Sequence, residues 1–228
     1  MSDNSFFREV DEAVRHDRFK SLWDKFGVYV IVLAVLLIAC VAGYKGWTYW
    51  QEREAQRGGA EFAQALALET SGSDPSKANE AFEELAKDGP HGYRVLSRFQ
   101  LAAGQAKAGE TDKAVAAYDA LATDGGVDAI LQGLATLQAA TLRLDTADYA
   151  EMERRLKGLI EGNTAWRFSA RELLGLSAYQ HKDLSGAEKQ FSALLGDQGT
   201  PPNMRDRANM MLALIVSSTP AQSSSTTN

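Results

Sequence analysis

The 228 residues carry 30 acidic and 24 basic side chains, a formal charge of −6, and that balance is unsuited to coating a nucleic-acid phosphate backbone. The length holds an anchor and one domain of about 170 residues, with no room for a second domain of enzyme size. A single cysteine, Cys40, excludes a fold built on disulfides or on a cysteine-rich metal site.

Taken in order, residues 1–25 contain neither proline nor glycine and are dense in charge, so a helix is predicted there. Phe6, Val10, Ala13 and Val14 share one face by helical spacing, and Phe19, Leu22, Trp23 and Phe26 form a second cluster. The expectation is an amphipathic helix on the cytoplasmic surface of a membrane, with His16, between Arg15 and Asp17, facing water.

Residues 26–44 pass without a charge, and eleven of these nineteen are Leu, Ile, Val or Phe. As a helix they reach about 28 Å at ~1.5 Å per residue, close to the roughly 30 Å of a bilayer's hydrocarbon core. Their insertion gains on the order of 3 to 7 kcal/mol. Trp23, Phe26 and Tyr29 on one side and Tyr44, Trp47, Tyr49 and Trp50 on the other match aromatic belts at headgroup depth. Arg8, Arg15, Arg18, Lys20 and Lys25 precede the run, while Lys45, Arg53 and Arg57 follow it, which predicts a cytoplasmic N-terminus and places everything beyond residue 45 outside the cytoplasm. Residues 1–45 hold six bases and six acids, so the net charge belongs to the remainder.

Ala39, Ala42, Gly43 and Gly46 fall at i, i+3, i+4 and i+7, a stripe of small residues on which a second membrane helix could pack. Leu37, Ile38, Ala39 and Cys40 also fit the pattern at which bacterial lipoproteins are cut and lipidated. The apolar and aromatic run continues past Cys40 to Trp50, unlike the small polar exit of a secretory signal. Retention of the anchor is therefore the first reading, and a lipoprotein held at Cys40 the alternative.

Residues 45–57 read as a juxtamembrane connector and residues 58–217 as an alanine-rich, all-α domain. All five prolines, Pro75, Pro90, Pro201, Pro202 and Pro220, fall at predicted helix boundaries, and no run of alternating β-branched residues suggests a strand. Helices are predicted over 53–70, 76–87, 91–109, 111–122, 127–144, 147–161, 164–182, 184–195 and 202–217, and residues 218–228 as a polar disordered tail. Three segments repeat, KANEAFEELAKD from Lys77, KAVAAYDALATD from Lys113 and GAEKQFSALLGD from Gly186. They align Ala78, Phe82, Leu85 and Asp88 with Ala114, Tyr118, Leu121 and Asp124 and with Ala187, Phe191, Leu194 and Asp197, at offsets of 36 and 73 residues. The larger offset, nearly two periods, calls for a degenerate copy near residue 150, for which Tyr149, Met152, Leu156 and Leu159 qualify. A two-helix unit with a period in the mid-thirties marks a solenoid, because one unit cannot bury its apolar face alone.

Leu174, Gly175, Ala187 and Phe191 have the spacing of the tetratricopeptide repeat, in which small residues let paired helices touch and an aromatic fills the gap to the next pair. Leu101, Ala102, Ala114 and Tyr118 are a looser copy, and Leu85, Leu121 and Leu194 stand where a third small residue is usual. The domain resembles a tetratricopeptide-like helical-hairpin solenoid behind a single transmembrane helix. Over residues 9–217 the chain is also similar to the YfgM-like ancillary subunits of the bacterial SecYEG translocon. That likeness rests on the exit Gly46, Trp47, Tyr49 and Trp50, on HGYRVLSRFQLA from His91 and on NTAWRFSARELLGLSAYQHKDLSGA from Asn163. It implies a single-pass protein of the bacterial inner membrane, beside the translocon. There it would help exported polypeptides pass to periplasmic chaperones or peptidyl-prolyl isomerases.

Nothing in the sequence points to catalysis or to a cofactor. His91 and His181 are the only histidines after the apolar run, and there is no H-x-x-x-H, G-x-S-x-G or glycine-rich phosphate loop. The pair Arg154, Arg155 reads as a solvated face. Binding remains, on a surface lined by the first helix of each pair. Arg94, Arg98, Gln138, Arg167 and Arg171 are its candidate polar groups, and Tyr93 and Trp166 its candidate aromatic anchors, with ordinary repeat packing the alternative for Trp166. A repeat scaffold of envelope biogenesis or cell division is the second functional reading.

Overall fold

The computed structural model describes residues 3–72, 74–162 and 164–218, and side chains from residue 25 onward except Val30. The predicted apolar faces of residues 6–23 and most of the predicted tail lie outside the described side chains and residues. All described secondary structure is helical: α1 Asp3–Ser71, α2 Pro75–Asp88, α3 His91–Lys107, α4 Thr111–Ala122, α5 Ala129–Arg143, α6 Tyr149–Glu161, α7 Arg167–Gln180, α8 Leu184–Gly196 and α9 Pro202–Ser218. The chain divides into two units, residues 1–57 and 58–228.

Where a stub, a span, a connector and a first repeat helix were predicted separately, the structure has one helix of 69 residues. No proline falls within it, and each of its glycines costs only about 1 kcal/mol in a helix interior, too little to end a helix without a stop signal. The stop comes at Gly72, whose φ of 64° a side chain would resist. In the first unit the helix carries the exposed apolar run, with Ile31, Leu33, Leu37 and Ile38 each more than half exposed. It is the one candidate membrane span among the described residues, long and apolar enough to cross.

The second unit is built from hairpins. Asp74, Asp128, Asp148 and Asp183 cap α2, α5, α6 and α8, each carboxylate accepting a main-chain N–H of the first turn at 2.7 to 3.1 Å and so satisfying a donor the helix cannot. The predicted copies all reach the core. Phe82, Tyr118, Met152, Leu156 and Phe191 are buried, as are Leu85, Leu121 and Leu194. Four apolar clusters succeed one another along the stack, and Tyr149 packs against two of them. Close approach depends on small residues. A Cβ on Gly175 would stand 3.0 Å from the Phe191 ring, and one on Gly133 would stand 2.5 Å from the Trp166 indole.

The turns between α3 and α4 and between α7 and α8 have the same form, 73 residues apart. Glu110 N–H donates to Gln105 O and Asp183 N–H to Ala178 O, both at 2.9 Å. Gly109 occupies the first with φ 79°, but Lys182 occupies the second with φ 62°. A non-glycine there costs roughly 1–2 kcal/mol, partly offset by the freedom glycine has when unfolded. Lys182→Gly is therefore expected to stabilise by about 0.5–1 kcal/mol, raising Tm by roughly 1–4 °C. Gly109→Lys should lower it. Thermal melts followed by circular dichroism check both signs.

Candidate interaction surfaces

The first helices of successive pairs pack directly, α5 on α7 and α7 on α9. Arg207 reinforces the second contact with a bidentate pair to Glu172, at 2.5 and 2.8 Å. On these helices the predicted groove residues divide by role. Tyr93 lies against Phe62, ring centroids 5.8 Å apart, with Gly59 beneath its hydroxyl. Arg98 donates to Asp124 at 2.6 Å. That guanidinium, with the N–H of Gly126, holds the Asp124 carboxyl below its ordinary range. Trp166 donates from Nε1 to the carbonyl of Ile130 at 2.8 Å, and its indole covers Gly133. Arg167 stands 3.6 Å from Asp197 and lies over the Phe168 ring at 4.0 Å. Arg94 and Gln138 are exposed. The packing of Tyr93 on α1 and of Trp166 on α5 explains their aromatic character without a ligand. Arg171 is different, because it turns into a furrow between second helices.

Small-stripe residues Ala39, Ala42, Gly43 and Gly46 are exposed on α1, and a Cβ built on Gly43 or Gly46 meets nothing within 4 Å. Nearby, Arg53 stacks over Tyr49 at 4.7 Å, and Trp47 and Trp50 tilt against each other at 5.6 Å.

The second helices are joined by charge, which sequence reasoning missed. Arg155 of α6 reaches across to Asp119 of α4 at 2.7 Å and bonds Glu151 at 3.0 Å. Glu151 also meets Arg143 of α5, which extends to Asp112 at 3.4 Å. The two arginines, Arg143 first, hold the Glu151 carboxyl below its usual range. Arg155 is thus part of a bridge, not of a solvated face. Asp119 precedes it by one repeat period, which was the signal available in the sequence. Arg154 does face outward.

Between α6 and α8 no such bridge forms among the described residues, and a cavity of about 580 Å³ opens over α7. Glu153, Arg154, Lys157 and Ile160 of α6 form one wall, Lys189, Gln190 and Ala193 of α8 the other, and Arg171 and Leu174 of α7 the floor. A smaller cavity of about 300 Å³ lies beside Arg94 and Arg98, closed at one side by Asp124 and Gly126.

An all-helical stack of hairpins carried behind an apolar helix defines a repeat scaffold of the kind that binds other proteins. The chain matches the family model of the tetratricopeptide repeat-like domain over residues 20–175, and it belongs to that family. The match runs from before the apolar segment into α7, so one family unit takes in the apolar run of α1 and the first hairpins. No curated protein and no solved structure matches the chain.

Proposed function

We infer that the chain is a single-pass protein of a bacterial inner membrane, its N-terminus cytoplasmic and its helical stack periplasmic, that serves as an interaction adaptor. It works beside the SecYEG translocon and helps hand exported polypeptides to periplasmic chaperones or peptidyl-prolyl isomerases. The observation that carries this reading is the family match, because it embraces the apolar helix and the hairpins together. An anchor and a scaffold that belong to one unit fit a protein whose partners are met at the membrane. The excess of basic residues before the span supports the orientation. The apolar and aromatic run continues past Cys40 to Trp50, which favours a retained anchor over cleavage and lipidation. In this reading residues 1–25 are cytoplasmic, 26–44 span, 45–57 connect, and 58–217 form the working domain ahead of the tail from 218.

Photo-cross-linkers at Ala42 and Gly46 of the full chain in membranes test this. Mass spectrometry of the captured species is expected to find translocon subunits. Capture of cell-division proteins in their place would overturn the secretory role, and an intact mass that lacks the residues before Cys40 would overturn the anchor.

A further inference from the structure

We propose that the furrow between α6 and α8 docks an acidic peptide segment of a partner protein, a proposal that rests on reading the stack as an interaction scaffold. The argument comes from comparing equivalent positions. Asp119 follows the core residue Tyr118 of α4, and Arg155 precedes the core residue Leu156 of α6; their ion pair at 2.7 Å closes the space between those second helices. One repeat later, the residue following Leu156 is Lys157 and the residue preceding Phe191 is Gln190. An acid has become a base and the arginine an amide, so the bridge cannot form.

The floor has changed as well. Arg98 and Arg171 are equivalent, 73 residues apart, as are Asp124 and Asp197. Arg98 takes Asp124, but Asp197 is engaged by Arg167 of the preceding turn, which releases Arg171 into the furrow. Arg154 and Lys189, each two residues before its helix's core residue, add a cation to either wall. Against these four bases the furrow holds two acids, Glu153 and Glu161, and the second stands 3.9 Å from Lys157.

A net positive furrow in a chain of charge −6 is a local reversal of sign, and a carboxylate from outside takes the place of the acid that Lys157 replaces at the Asp119-equivalent position and of Asp197, which Arg167 engages. Leu174, Ile160 and Ala193 put apolar surface among these cations, so the fitting ligand alternates acidic and apolar side chains. The 13 residues of α6 span about 20 Å, enough for roughly six residues of extended chain. A nucleic acid is disfavoured because the acidic surround repels a long polyanion.

The test uses the full chain in detergent micelles and a fluorescein-labelled peptide of repeated Glu-Glu-Leu, with a Lys-Lys-Leu peptide as control, followed by anisotropy. Saturable binding of the acidic peptide alone is expected. Arg154→Glu with Arg171→Glu should weaken it at least about tenfold, since each removes an attraction and adds a repulsion. Lys157→Asp with Gln190→Arg installs the pair that closes α4 to α6 and should weaken binding as strongly without lowering Tm, which separates occlusion from misfolding. Equal binding of the basic peptide, no saturable binding, or binding unmoved by the second double variant would overturn the proposal. So would a wild-type dimer that the second variant dissociates, because a second copy would then fill the furrow. The assay contains no translocon, so failed cross-linking with intact peptide binding would count against the secretory role alone.

Discussion

Phe191→Ala is expected to destabilise the helical stack by about 3–5 kcal/mol, the range for deleting a buried aromatic ring. Phe191 has no exposed surface, and its cluster draws Phe168 and Ala178 from α7, Ala187 and Leu194 from α8, and Ala208 and Ile215 from α9. Three helices therefore share the cluster that this ring belongs to. Gly175 sits under that ring without a side chain of its own, so the α7 residue nearest the ring has nothing to fill the void. The cost then lies near the upper end of the range, because the cavity persists when its walls cannot collapse. In a solenoid the loss falls on nearest-neighbour contacts, and α8 and α9 are expected to open before α2 to α6. A melt by circular dichroism should show Tm lowered by about 10–20 °C, and limited proteolysis should cut first beyond α7. A single unshifted transition would contradict this account of the core.

The second large effect concerns the anchor. Leu33 and Leu37 are 62 and 60 % exposed on α1, one turn apart and central to the apolar run. Exchanging each for arginine moves its insertion energy from about −0.5 to about +3 kcal/mol, so the pair reverses roughly 7 kcal/mol, as much as the whole run gains. The Leu33→Arg, Leu37→Arg chain is expected to leave the membrane pellet for the soluble fraction after alkaline carbonate extraction. Its folded core should survive, because among the described residues the apolar clusters include nothing before Phe62. A variant that stays in the pellet would show that the run is not held by hydrocarbon.

Much of this architecture can be read from apolar spacing. The 73-residue offset demanded an extra copy near residue 150, and α6 buries Met152, Leu156 and Leu159 there. Helix ends were legible where prolines mark them, and the aspartate caps that the structure adds are equally local. Less legible was α1. The change of composition over residues 45–57 ends where the two units divide, yet α1 runs through it, because a helix stops only where its hydrogen bonding is interrupted. The interaction surface was the least legible part. Arg98 and Arg171 look alike in sequence, and only the competing claim of Arg167 on Asp197 separates a structural arginine from an available one. Likewise Arg155 and Arg154 are adjacent but face different neighbours, and the partner that decides their roles lies 36 residues away in α4.

Gly58 and Gly59 act as a keyway. A Cβ on Gly58 would stand 2.7 Å from the Pro90 ring, and one on Gly59 would stand 2.6 Å from the Tyr93 hydroxyl, so the start of α3 is seated in a notch only two residues long. Sliding the last turns of α1 by one position would drive Ala60 or Arg57 into that notch. Turning them about their own axis would do the same. The first two hairpins therefore permit a single alignment, and axial slip between α1 and α3 requires that they first come apart.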